Sequence, residues 1–106
     1  MRLLILTSQV SPYHNARYVG ATRYIEDVHV LSTINEGAFP EFIASSLGHY
    51  TLHRLSEGRE AYAAAAASGD LLVRVRETIE QIGPDAIAVA GWTAPESLVA
   101  LEYGRA

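Results

Sequence analysis

Two short stretches carry residue types suited to binding or transforming a polar ligand. The first holds Ser8, Gln9, Ser11, Tyr13 and His14, with Arg17 one helical turn further on. It offers neutral donors and acceptors together with one imidazole that titrates near neutrality. An imidazole so placed can take a proton from a hydroxyl or give one to an oxyanion. Arg17 adds a planar cation suited to a phosphate or carboxylate. The second stretch is Gly91-Trp92-Thr93. Gly91 lets backbone approach a ligand closely, and Trp92 offers a face for a sugar or a base. Thr93-Ala94-Pro95-Glu96 has the form of a capping box, whose helix start turns backbone amides toward ligand oxygens. Each residue also has an ordinary use. Loop serines cap their own turns, a helical arginine is solvated, a tryptophan plugs the end of a sheet, and a histidine caps a helix.

Absences narrow the chemistry. Among 106 residues there is no cysteine and no lysine, so all eight basic residues are arginine. This excludes a disulfide framework, a thiol nucleophile, a lysine Schiff base and a P-loop. The first strand–helix turn lacks a G-x-G-x-x-G, and no G-x-S-x-G elbow occurs. No acidic pair stands where glycoside hydrolysis would need one. A phosphoacceptor receiver needs acids after its first strand, where this chain has Thr7-Ser8-Gln9. The four histidines show no zinc spacing; His49 and His53 lie four apart on an extended segment. No cofactor is implied. Scattered arginines and a net charge of −4 argue against nucleic acid. The apolar start Leu3–Leu6 is too short for a signal segment, and no run approaches a membrane span. A soluble, cytoplasmic protein is expected.

The elements that must position these residues follow from hydrophobic pattern. Arg2–Thr7 reads as a strand apolar on both faces, as in parallel sheets. Pro12 opens a helix expected over Tyr13–Ile25, with Ala16, Val19, Gly20 and Tyr24 on one side. Val28–Thr33 is a second strand, Asn35–Gly48 has no clean period, and Tyr50–Leu55 is a third strand near an edge. Arg59–Ala67, with five consecutive alanines, is a helix on propensity. Asp70–Ile82 is the clearest amphipathic helix, its stripe formed by Leu71, Leu72, Val75, Ile79 and Ile82 and its stop by Gly83-Pro84. Asp85–Ala90 is a fourth strand, and a last helix follows Thr93. Strands alternating with helices predict an α/β, Rossmann-like parallel sheet with helices on both faces. Right-handed crossovers give the strand order 3-2-1-4. Strands 1 and 4 then lie side by side at the topological switch, so the two polar stretches converge where such sheets bind ligands.

Arg2-Leu3-Leu4-Ile5-Leu6 followed by Ser11-Pro12-Tyr13-His14-Asn15-Ala16-Arg17 resembles the opening of retaining glycosyltransferases with two Rossmann-like domains, the GT-B fold of the family 4 type. Gly83 to Leu98, with its Gly91-Trp92 turn, is similar to their later strand–helix unit, and the two matches occur in the right order. The resemblance does not extend to 35–67. It implies the acceptor-binding N-terminal part of an enzyme that moves a sugar from a nucleotide-sugar donor to an acceptor. Ser11, Tyr13, His14, Arg17, Gly91, Trp92 and Thr93 would line the acceptor side, with His14 the catalytic candidate. The donor-binding C-terminal domain has no counterpart in these residues, and the chain stops inside a helix, as a partial domain would. On this reading the nucleotide-sugar is a partner only when that domain is present. The alternative is a stand-alone Rossmann-like module that binds a ligand or partner without catalysis. A fourth strand left at the sheet edge would invite a second copy, so a homodimer is a further expectation.

Overall fold

The structure, a computed structural model, describes residues 1–7, 10, 12–34, 49–56 and 58–89. Four parallel strands, β1 (Arg2–Thr7), β2 (Asp27–Ser32), β3 (Thr51–Arg54) and β4 (Ala86–Val89), form one sheet in the order β3-β2-β1-β4. Helix α1 (Pro12–Ala21) follows β1, while α2 (Arg59–Ser68) and α3 (Asp70–Ile82) carry the chain from β3 to β4. This is the Rossmann-like α/β arrangement with β1 and β4 adjacent at the switch.

Alternation along β1 decides which helix covers which face. Leu4 and Leu6 point to one side and join Leu31, Leu55, Leu71, Val75, Ile79 and Ile82 in a buried cluster beneath α3. On the other side Ile5 packs against Val28, Val30, Tyr50 and the α1 residues Tyr18 and Val19. The central strand is therefore apolar on both faces because both faces are covered.

Chain ends of the helices follow backbone chemistry. Gly69, at φ 82°, closes α2 by donating its amide to Ala66 and at once opens α3. Gly83, at φ 61°, closes α3 by donating to Ile79. Both conformations favour glycine because a side chain would crowd the neighbouring carbonyl.

Three expectations need correction. α1 ends at Ala21 rather than Ile25, because the amides of Thr22, Arg23 and Tyr24 turn back to Val19, Gly20 and Ala21. Tyr24 consequently leaves the apolar side and is 90% exposed. Leu72 lies beside the buried stripe of α3 and is 37% exposed, whereas Leu71, Val75 and Ile79 are wholly buried. β2 starts one residue earlier than expected, at Asp27, which lies opposite Arg2 in the ladder. Among the described residues β4 is an outer strand, and no helix is long and apolar enough to cross a membrane.

Candidate functional site

His14, Arg17, Tyr18 and Ala21 follow the i, i+3, i+4, i+7 pattern and share one side of α1. Across from them stand Leu3, Ile5 and Thr7 of β1 and Ala88 and Val89 of β4. Together these nine residues line a cavity of about 450 Å³ against the β1–β4 switch. His14 and Arg17, both exposed, stand at its rim; Thr7 and Tyr18 add polar groups deeper in, and the rest of the lining is aliphatic. A sugar ring presents the same division, with hydroxyls at the edge and C–H groups on a face.

The rim is held by a chain of contacts leading into the core. The His14 ring lies nearly parallel to Tyr18, within 12° and with centroids 6.2 Å apart. Tyr18 meets Tyr50 edge-to-face at 5.9 Å. The Tyr50 hydroxyl, buried, donates to Asn15 Oδ1 at 2.5 Å, and Asn15 is itself buried on α1. Burial pushes the Tyr18 phenol above its ordinary range, a shift moderated by a hydrogen bond with Thr7 and by the nearby Arg17 charge. Burial, with Tyr18 beside it, also raises Tyr50.

Of the sequence candidates, His14 and Arg17 meet at this cavity. The backbone of Tyr13 is in the first turn of α1, and its side chain lies outside the described residues. Ser8, Gln9, Ser11, Gly91, Trp92 and Thr93 also lie outside them, as do the irregular stretch 35–48 and the last helix. Thr7 and Tyr18 are site residues that the sequence reading did not single out. Their signal was available: Tyr18 stands four residues after His14 on a helix, and Thr7 is the last inward residue of β1.

The opposite face of the sheet holds a polar chain that the sequence reading missed. Arg2 Nε donates to Asp27 Oδ2 at 2.5 Å, and Asp27 Oδ1 is 2.8 Å from His29 Nε2. His29 Nδ1 is 3.0 Å from His53 Nε2. Arg2 also donates to the Ile82 carbonyl at the end of α3, and its amide donates to Asp85. The hydrogen bond from Arg2 holds the Asp27 carboxyl below the ordinary carboxylate range. Burial, and the neighbouring His29, lower His53 from the ordinary histidine range. Among the described residues no group of three or more potential metal ligands forms a cation site.

These shifts predict the stability profile. A buried histidine that resists its cation favours the folded state fully above its unfolded pKa, about 6.5, and that contribution is lost as pH falls through the lowered folded value. Asp27 acts in the same direction at lower pH. Tyr18 and Tyr50, raised by burial, stabilise below about pH 10, and that part is lost on further alkalinisation. Urea unfolding across pH should therefore give a plateau that slopes down on both sides. His53→Gln should flatten the slope just below neutrality; an unchanged slope would remove His53 as its source.

The chain matches no protein-family profile, no curated protein and no solved structure.

Proposed function

We propose that these residues form the acceptor-binding N-terminal part of a glycosyltransferase that moves a sugar from a nucleotide-sugar donor to an acceptor. The observation that supports this reading most directly is the cavity at the β1–β4 switch, where His14 and Arg17 stand at the rim above a largely aliphatic lining. Switch points of parallel sheets are where such folds take ligands. The motif resemblance assigns this end of the sheet to the acceptor. In the reading, an acceptor hydroxyl approaches His14, which can accept its proton, while Arg17 and Tyr18 fix neighbouring oxygens. Donor binding falls to a domain outside these residues.

The same cavity suits a binding module that performs no chemistry, and the two readings part on a simple experiment. The 106-residue chain is titrated with glycosides and sugar phosphates while its backbone amides are followed by NMR. Both readings expect shifts confined to α1 and the ends of β1 and β4. Arg17→Ala and His14→Ala should each weaken binding by roughly tenfold, the loss of one charge-assisted or polar contact. No shift with any sugar would overturn the acceptor assignment. Nucleotide release should be undetectable when the chain alone is given a nucleotide sugar and an acceptor; turnover would show that the donor site resides within it.

A further inference from the structure

On the face away from the sugar cavity, β3 and α3 enclose a second pocket of about 320 Å³. Its polar lining is His53 and Arg54 from β3 and Arg74, Glu77, Thr78 and Gln81 from α3. Arg74 is fixed there: its Nη2 donates to the Leu55 carbonyl at 2.6 Å, and Thr78 Oγ1 donates to the Arg74 carbonyl at 2.7 Å. Leu52 packs in the cluster under α1 and Leu55 in the cluster under α3, so alternation turns His53 toward this pocket and the Arg54 side chain away from it. Arg74 then stands against Glu77, and the wall is balanced in charge.

His53 connects this wall to the polar chain beneath it. The two imidazole centroids are 5.3 Å apart with planes within 20°, and the facing nitrogens are 3.0 Å apart. The rings therefore meet edge to edge, nitrogen toward nitrogen, in nearly one plane. Lone pairs aimed head-on share a proton; a chelated metal would need them to converge on a third point. Asp27 accepts from His29 Nε2, which in neutral His29 leaves Nδ1 as an acceptor. His53 then donates its Nε2 proton, and its Nδ1 is the position that takes up the next one. An added proton can sit on His53 or, after a shift along the 3.0 Å bond, on His29 beside Asp27. A second added proton would set two donors against each other.

We propose that the pocket between β3 and α3 binds a small tetrahedral oxyanion, and that one proton on the His29–His53 pair sets its affinity. An anion in the pocket draws the positive charge onto His53, which adds a second cation beside Arg74 and turns a balanced wall positive. Glu77 opposes the anion and keeps affinity low while both histidines are neutral. Burial of His53 works the same way, because it penalises the cation until a counter-ion is present.

The test uses sulfate, whose charge is constant over the range, with the intact chain labelled at histidine nitrogens. Sulfate should bind about five- to tenfold more tightly near pH 5.5 than near pH 8, a coupling at the lower end of those seen between linked sites. By reciprocity, sulfate should raise the apparent pKa of the histidine pair and move the His53 Nδ1 signal toward the protonated form. His53→Gln should bind equally at both pH values, Arg74→Gln more weakly at both, and Glu77→Gln more tightly at both. A phosphomonoester binding as sulfate does assigns the site to the oxyanion itself; tighter binding of the ester assigns it to a phosphoryl group carried on a larger molecule. No sulfate response at His53 near pH 5.5, or equal affinity at both pH values in the unmutated chain, overturns the proposal.

Discussion

Replacing Ile79 by alanine is expected to cost about 2–5 kcal/mol of folding stability, while Leu72→Ala on the same helix costs under about 1 kcal/mol. Ile79 is wholly buried in the cluster that joins α3 to Leu4, Leu6 and Leu31. Its truncation removes apolar contact and leaves a cavity that the rigid sheet below cannot close. Leu72 is 37% exposed and gives up little contact. Urea midpoints for the two variants, at unchanged slope, measure the difference directly. Equal losses would mean that α3 sits rotated from the orientation described, with Leu72 turned under.

Tyr50 carries the second large effect, and it reaches the cavity at the β1–β4 switch. Tyr50→Ala removes a buried ring and should cost about 3–5 kcal/mol. Tyr50→Phe keeps the ring, loses the hydrogen bond to Asn15 Oδ1, and should cost about 1–3 kcal/mol by leaving a buried acceptor without that donor. Tyr50 also braces Tyr18 edge-on, and Tyr18 lies against His14 at the cavity rim. If the cavity takes the proposed acceptor, the alanine variant should weaken its binding at temperatures where it is still folded, and the phenylalanine variant should not. Calorimetric titration below each unfolding transition separates the two. If both variants bind unchanged, the aromatic chain supports α1 without ordering the rim.

The architecture was open to reading from residue pattern because few alternatives satisfy it. Arg2–Thr7 is apolar on successive residues, which suits only a strand covered twice, and Asp70–Ile82 repeats its buried positions at helical spacing with Gly83-Pro84 behind it. Parallel strands and right-handed crossovers then leave one economical order. The errors came where backbone bonds, not pattern, decide an end. The turn at Thr22–Tyr24 is made by amides donating three residues back, and nothing in Thr-Arg-Tyr announces it.

The candidate site was legible in part for the same reason. His14 and Arg17 could be placed because they open the helix that leaves β1 at the switch. The His29–His53 pair could not, since it depends on register between strands 24 residues apart. A shift of one residue would send His53 to the other face. Period-two alternation in β2 and β3 identifies which residues share a face, but the pairing partner is chosen by packing along the whole strand.

The place of β1 in the middle of the sheet has a consequence for the birth of the chain. β1 precedes both its neighbours, β2 and β4, in the chain and must wait for them. Leu3 finds Val28 early, yet its other partner, Ala86, is made 83 residues after it. Until then one long edge of an apolar strand stays open while the ribosome works, at about 5–20 residues per second. The nascent chain thus spends seconds with its stickiest segment half-satisfied. Late closure of the β1–β4 ladder leaves that edge open to chaperone capture or to pairing with a neighbouring nascent chain.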